Sequence, residues 1–163
     1  SIYLGRPLRL LQKGSVMLYL IRGLPGSGKS TYAKKHFPGI PHFEADMYFI
    51  KNGKYEFNPA KLNAAHRWCK WSVREVLATG RDCVVSNTFI QEWEIDPYLD
   101  MADDYGIPVK IIELQTQFGS IHDVPKEKMN LMIARWDSLR DLPRVELGIA
   151  TFNYLYEEVP ADG

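Results

Sequence analysis

Apolar positions along the chain fall into short continuous runs that alternate with longer stretches of helical spacing. The short runs predict strands, and they lie at 16–21, 42–46, 82–87 and 109–114. The longer stretches predict helices, and they lie at 29–37, 59–78, 91–105 and 125–139. Because strands and helices alternate in this way, we predict an α/β fold, a three-layer α/β/α sandwich around a central parallel sheet.

Glycine and proline mark where several of these elements begin and end. Asn58-Pro59 is an N-cap followed by a proline at the first helical position, and Gly106 follows the helix that begins near Gln91. Pro97 is expected in the first turn of that helix. Between 47 and 57 an aromatic stretch surrounds an Asn-Gly pair, which fits either a small hairpin or an irregular flap.

A phosphate-binding loop lies between the first predicted strand and the first predicted helix. It reads G-x-x-x-x-G-K-S from Gly23 to Ser30. Glycines allow positive φ angles and bring backbone N–H groups around a phosphate at a helix N-terminus. Lys29 is expected to reach the β- and γ-phosphates of ATP, and the Ser30 hydroxyl to coordinate Mg²⁺. The predicted nucleotide-binding residues are Gly23, Pro25, Gly26, Ser27, Gly28, Lys29, Ser30 and Thr31.

Polar residues at the ends of the next strands are candidates for the acceptor side of the site. Asp46 is expected at the carboxyl end of the second strand, as a general base, a metal ligand or a capping residue. The third strand ends in Ser86-Asn87-Thr88 with no carboxylate. Asn87 and Thr88 are candidate substrate ligands or a simple turn. His66 on the long helix is a further candidate, with a structural role as the alternative.

An aromatic group and a connector complete the candidate chemistry. Six aromatic side chains are candidates to stack on a base, with packing in the core as the alternative: Tyr48, Phe49, Tyr55, Phe57, Trp68 and Trp71. The connector 115–124 lies where small kinases carry a lid, and it contains no arginine. Its His122 and the following Lys126, Lys128 and Arg135 are the nearby cations. We expect His122 or Arg135 to assist phosphoryl transfer.

Composition narrows the class of protein. Twenty basic and twenty acidic residues cancel, which argues against nonspecific coating of nucleic acid. Cys69 and Cys83 are expected to be reduced thiols. No stretch is long enough to cross a membrane, and the first residues lack the apolar core of a signal peptide, so a cytoplasmic location is expected. We predict a leader at 1–14, one domain at 15–159 and a tail at 160–163.

The motifs resemble the polynucleotide-kinase-like branch of small P-loop kinases, often found in bacteriophages, in which case the location is the host cytoplasm. The matching segments include the loop, Glu44 to Phe49, Tyr55 to Pro59, Ser86 to Phe89 and Ile121 to Pro125. The resemblance implies that Lys29 and Ser30 bind ATP and Mg²⁺ and that Asp46 is the base acting on a hydroxyl. It also shows departures: Asn87-Thr88-Phe89 replaces Asp-Thr-Asn, and the lid has no arginine.

These observations favour an ATP- and Mg²⁺-dependent kinase that phosphorylates a hydroxyl of a nucleic acid or nucleotide and acts as a monomer. Two alternatives use the same loop. One is a kinase for a modified DNA base or a small metabolite, and the other is a nucleotide-binding regulatory module without transfer activity. A motor-type ATPase is disfavoured because the third strand ends without the acid that acts on water.

Overall fold

The computed structural model describes residues 16–115, 124–139, 145–146, 149–150 and 154–161. A five-stranded parallel sheet forms its centre, in the order β2-β5-β1-β6-β9. The strands of this sheet are β1 (Leu18–Arg22), β2 (His42–Phe43), β5 (Cys83–Asn87), β6 (Val109–Leu114) and β9 (Tyr154–Val159). Two antiparallel pairs lie outside it, β3 (Ile50–Lys51) with β4 (Lys54–Tyr55) and β7 (Val145–Glu146) with β8 (Ile149–Ala150).

Helices cover both faces of the sheet, as the alternating pattern predicts. The α-helices are α1 (Lys29–His36), α2 (Leu62–Ala78), α3 (Glu92–Tyr105) and α4 (Lys126–Ala134). On one face, Ala33 of α1 packs with Ile21 and Ile112. On the other face, α2 and α3 enclose the larger core, which includes Val73 and Leu99. The predicted three-layer α/β/α fold is therefore confirmed.

Several boundaries agree with the turn signals in the sequence. Asn52 and Gly53 have φ angles of 52° and 79°, so the Asn-Gly pair makes the hairpin turn between β3 and β4. The Asn58 side chain accepts a hydrogen bond from the Ala60 N–H, ahead of a short 3₁₀ turn and α2. Gly106 ends α3 with a φ of 66°. Each of these signals acts within a few residues of chain.

Two predicted elements are shorter or placed differently. The second strand was expected to reach Asp46, but β2 stops at Phe43 and a 3₁₀ helix occupies Ala45–Phe49. The Ala45 N–H is bound by the Asn87 side-chain oxygen at 2.9 Å, which diverts the chain from the sheet. Pro97 lies in the second turn of α3 rather than the first, because the helix begins at Glu92, directly after the capping box formed by Gln91 and Glu94.

The last predicted helix is also too long, and the described strands β7, β8 and β9 were not predicted. The helix α4 ends at Ala134, and Leu139 lies beyond it in the core. The strand β9 pairs in parallel with β6 and forms an edge of the sheet. Its sequence YLYEEV contains two glutamates and only one fully buried side chain, so it lacks the apolar run typical of a central strand.

A buried arginine explains why the chain leaves α4 where it does. Arg22 ends β1 and is 0% exposed. Its guanidinium donates to the carbonyls of Phe89 at 2.6 Å, Ile90 at 3.0 Å and Asp137 at 2.9 Å. The Trp136 ring lies 3.7 Å from its Cζ atom. A continued helix would carry Trp136 and Asp137 away from these contacts.

Within the described ranges, no helix has the length and apolar character needed to cross a membrane. The predicted leader at 1–14 and most of the predicted lid, including His122, lie outside the described residues. The tail is described only at Pro160 and Ala161. The proposed division into leader, domain and tail stays a prediction.

Candidate functional site

The phosphate-binding loop joins β1 to α1 and allows little substitution at its first glycine. A β-carbon on Gly23 would lie 2.4 Å from the Ser27 Oγ and 3.2 Å from the Leu114 carbonyl oxygen. Gly26 and Gly28 have φ angles of 81° and 89°, in the left-handed region that favours glycine. The available space thus requires glycine at position 23, and the backbone angle favours it at position 28, which are the two glycines that the motif fixes.

The N-terminus of α1 fits an anion. Gly28 is its N-cap residue, no side chain caps it, and its first turn contains no acidic residue. Unpaired N–H groups and the helix dipole therefore face the loop. Pro25, Gly26, Gly28 and Thr31 line the cavity at this end. The donors and the shape of this loop suit the phosphates of a nucleotide.

Lys29 lies folded back onto its own loop. Its Nζ donates to the Gly23 carbonyl at 2.8 Å and to the Leu24 carbonyl at 3.1 Å. Burial lowers its pKa to about 8, while the charges of Glu44 and Asp46 act in the opposite direction. The ammonium is thus poorly neutralised where it stands, which favours a move onto a phosphate.

The Ser30 hydroxyl donates a hydrogen bond to a carboxylate that sequence reasoning missed, the Oε1 of Glu44. Glu44 directly follows β2, so its position after a strand and two residues before Asp46 is the signal that could have identified it. A hydroxyl and a carboxylate oxygen are donors that suit Mg²⁺ completed by phosphate oxygens. The residues present therefore fit the predicted metal through Ser30 and Glu44.

His42 and Ser86 support Glu44 from the sheet. The His42 Nε2 is hydrogen-bonded to the Ser86 Oγ and lies 3.6 Å from the Glu44 Oε1. Burial lowers the pKa of His42, and the Glu44 charge opposes that shift. Ser86, at the polar end of the third predicted strand, is thus linked to Glu44 through His42.

Asp46 lies on the 3₁₀ helix rather than on a strand, and its side chain is exposed to the cavity. The Tyr55 hydroxyl donates to its Oδ1 at 3.3 Å. Burial is the main cause that raises the pKa of Tyr55, and the Asp46 charge adds to it. A tyrosine of the β3–β4 hairpin therefore orients the predicted base.

The predicted substrate residues Asn87, Thr88 and His66 line the same cavity, and they differ in how far other groups already engage them. The Asn87 oxygen is engaged by the Ala45 N–H, and its Nδ2 lies 3.8 Å from the Cys69 Sγ. The Thr88 carbonyl accepts from the Gly23 N–H at 3.3 Å. Burial lowers the pKa of His66, whereas the charges of Glu94 and Asp46 oppose the shift.

One cavity of about 820 Å³ brings most of these residues together. Predicted residues on its lining are Pro25, Gly26, Gly28, Lys29, Ser30, Thr31, Asp46, His66, Asn87 and Thr88. Lys128 and Met132 of α4 join them. Arg135 caps the C-terminal end of α4 and is not part of the described lining. His122 lies outside the described residues, so its role stays a prediction.

The predicted aromatic group divides between the core and the cavity. Phe49 is buried, and Tyr48 and Trp68 pack against the larger core. Tyr55 and Phe57 line the cavity, whereas Trp71 is 61% exposed and is not among the lining residues. Of this predicted group, Tyr55 and Phe57 are the two that can contact a molecule in the cavity.

Sequence comparison places most of the chain in a known family. The family described as AAA domain matches residues 18–129. Human NEDD4-binding protein 2 is 30% identical over an alignment of 141 residues that covers 78% of this chain and 8% of that protein. Mouse 2',3'-cyclic-nucleotide 3'-phosphodiesterase is 28% identical over 134 residues, 79% of this chain and 31% of that protein. The chain thus spans less than a third of each of these relatives.

Solved structures share the fold at low sequence identity. A chain of the Pnkp1/Rnl/Hen1 RNA repair complex has a TM-score of 0.63 at 14% identity, covering 78% of this chain and 46% of that one. A sugar kinase from Janibacter sp. HTCC2649 has a TM-score of 0.57 at 14% identity, covering 90% and 86%. Together with the matched family, these similarities confirm the resemblance stated from the motifs. The chain belongs to the AAA domain family.

Proposed function

We propose that the protein is a kinase that transfers the γ-phosphoryl group of ATP, with Mg²⁺, to a hydroxyl group of a nucleotide or nucleic-acid component. The observation that carries the proposal is that Asp46 shares the cavity with Lys29 and Ser30. The Asp46 carboxylate also acts electrostatically on the Lys29 ammonium, which supports assigning both groups to one site.

The residues divide the reaction between them. The loop N–H groups bind the phosphates, and Lys29 exchanges the carbonyls of Gly23 and Leu24 for phosphate oxygens. Ser30 and Glu44 would hold the metal, which would supply positive charge against the phosphate oxygens. Asp46, oriented by Tyr55, takes the proton of the acceptor hydroxyl. The acceptor oxygen–phosphorus bond forms, the bond from the γ-phosphorus to its bridging oxygen breaks, and ADP leaves.

The test is transfer of radiolabel from ATP to a panel of acceptors, comprising 5′-hydroxyl oligonucleotides, nucleosides and a monosaccharide. Asp46→Asn should lower the transfer rate by about 100-fold or more, because a positioned general base contributes about 10²–10⁴. The matched control is Asp104→Asn, an exposed carboxylate paired with Arg74, which should transfer at the wild-type rate. Equal rates for Asp46→Asn and the wild type would remove Asp46 from the mechanism.

A second function, nucleotide binding without transfer, is favoured by one observation. The cavity lining, as far as the structure describes it, contains the cations Lys29 and Lys128 and no arginine. Arginines commonly neutralise a phosphoryl group in transfer. Calorimetric titration decides between the two functions: tight ATP binding without label transfer to any acceptor would support the binding module.

A further inference from the structure

Two aromatic side chains, Tyr55 at the end of the β3–β4 hairpin and Phe57 just after it, form a pair at the cavity. The Tyr55 and Phe57 rings are stacked, with centroids 6.4 Å apart and planes inclined by 11°. Both line the cavity, yet they are 56% and 46% exposed. Large apolar side chains left open in a cavity usually mark a surface that binds something.

The pair is held in place from below. Phe49 is 2% exposed, and its ring lies edge-on to Phe57 at 5.1 Å and to Tyr55 at 6.3 Å. The Glu56 N–H donates to the Phe49 carbonyl at 2.8 Å, which fixes the backbone between the two rings. The aromatic pair is therefore a rigid platform, and little ordering is needed when a planar group stacks on it.

The platform is directly linked to the predicted base. The Tyr55 hydroxyl donates to the Asp46 carboxylate, so Tyr55 is part of the platform and also contacts the predicted base. Leu62, 41% exposed, extends the apolar part of the lining. His66 and Glu94 add polar groups to the same cavity. A molecule that stacks on the platform would thus lie beside the Asp46 carboxylate, which could accept the proton of a hydroxyl group on that molecule.

The charge of this part of the cavity opposes a polyanion. Among the residues that the structure describes, the charged side chains of this part of the lining are the carboxylates Asp46 and Glu94, while the cations of the lining belong to the loop and to α4. Lys51 and Lys54 of the hairpin are exposed and are absent from the described lining. Nucleic acids are held mainly by cations that neutralise their phosphates. An acceptor that bears phosphates would meet repulsion here.

We propose that the acceptor is an uncharged molecule with a planar ring and a hydroxyl group, of the nucleoside class, which stacks on Tyr55 and Phe57. This inference rests on the proposed function and narrows it to a small acceptor rather than a polynucleotide. The acceptor hydroxyl gives its proton to Asp46, which lies beside the platform. The cavity volume of about 820 Å³ lies within the range of small-molecule sites.

The first experiment compares acceptors by label transfer from ATP. The probes are the four ribonucleosides, adenosine 3′-monophosphate, a 5′-hydroxyl decanucleotide and glucose. The best ribonucleoside should exceed the other three probes in kcat/KM. Phe57→Leu, which keeps an apolar side chain but removes the ring, should raise the KM for that nucleoside about tenfold, since stacking on an aromatic side chain contributes about 1–3 kcal/mol. Its kcat and its KM for ATP should not change.

Two variants separate stacking from other effects. Trp71→Ala removes an exposed aromatic residue that does not line the cavity, and it should leave all constants unchanged. Tyr55→Phe keeps the ring but removes the hydroxyl at Asp46, so it should lower kcat and spare the KM for the nucleoside. Urea denaturation of each variant shows whether it is folded.

Other outcomes overturn the inference. Preference for the decanucleotide, with loss of that preference in Lys51→Gln/Lys54→Gln, would show a polynucleotide acceptor. Preference for glucose would show that no planar ring is needed. If no acceptor is labelled, the proposed function fails. Saturation-transfer NMR with the nucleosides then tests separately whether they bind to the platform. Nucleoside binding that Phe57→Leu abolishes would retain the platform, whereas absence of binding would reject it.

Discussion

Two cations stand at opposite ends of the phosphate-binding loop, and their surroundings differ. Arg22, the last residue of β1, is fully buried, and its guanidinium is held by backbone carbonyls and the Trp136 ring. Lys29, the first residue of α1, contacts two carbonyls of its own loop and has a pKa lowered to about 8. Arg22 is satisfied by the fold, whereas Lys29 is not.

The difference shows how the loop can be held rigidly where it leaves β1 and still carry a side chain that changes partners where α1 begins. The Arg22 contacts join the end of β1 to the segments around Phe89 and Asp137. These contacts are built from planar, directional N–H groups that a lysine cannot reproduce. Lys29 is a compact charge on a flexible stem, able to change partners when a phosphate arrives. Removing one cation should therefore affect stability, and removing the other should affect binding.

The largest effect is expected for Arg22→Met. The substitution removes the Arg22 donors from the buried carbonyl of Phe89 and the part-buried carbonyl of Asp137, and it leaves Glu113 without this cation. Breaking such a buried network costs about 3–5 kcal/mol. Urea denaturation should show that loss in the free energy of unfolding. The matched control is Arg74→Met, which removes an exposed pair with Asp104 at 3.6 Å and should cost about 1 kcal/mol or less.

Lys29→Met should give the reverse pattern. Its stability should change by about 1 kcal/mol or less, because only two loop carbonyls lose a donor. The affinity for a non-hydrolysable ATP analogue should fall about 10- to 100-fold, the effect of a charge-assisted hydrogen bond. Calorimetric titration measures the affinity. A large loss of stability without a loss of affinity would contradict the assigned difference between the two cations.

The parts of the fold that sequence predicted are those whose signals are local. The loop motif, the Asn52-Gly53 turn and the Asn58 cap each act within a few residues, and each occurs where it was expected. The end of α4 and the strand β9 were missed because they depend on contacts between distant segments. Arg22 illustrates the reason, since its partner Asp137 is 115 residues away along the chain.

The candidate site divides in the same way. The loop residues follow from a contiguous motif, and their roles stay predictions with a strong local basis. Glu44 was missed because strand-end chemistry was sought at Asp46, and the early end of β2 could not be read from the sequence. The link from Tyr55 to Asp46 depends on how the hairpin folds over the 3₁₀ helix. No short motif encodes that arrangement.

Alkaline pH should increase the stability conferred by the region around Lys29. The folded chain releases this proton near pH 8, whereas the unfolded chain keeps it to about the ordinary value of 10.5. The unfolded state therefore binds more protons between these values, and stability rises with pH in that window. Relative to Lys29→Met, the wild type should gain about 1–2 kcal/mol between pH 8 and pH 10 in urea titrations. A constant difference would show that burial does not shift this lysine.

The smallest expected effect tests the carboxylate that faces the loop. Glu44→Gln keeps a hydrogen-bond acceptor for Ser30 but removes a negative charge beside the phosphate site. Binding of the ATP analogue in EDTA should become severalfold tighter, since repulsion is relieved, while the gain on adding Mg²⁺ should become about 3- to 10-fold smaller. The control is Glu127→Gln, an exposed residue of α4 outside the described cavity lining. Calorimetry with and without Mg²⁺ measures both changes in the same variant. Tighter binding in EDTA together with a smaller gain on adding Mg²⁺ would identify Glu44 as a metal-side carboxylate, because loss of a merely structural contact would weaken binding in both conditions.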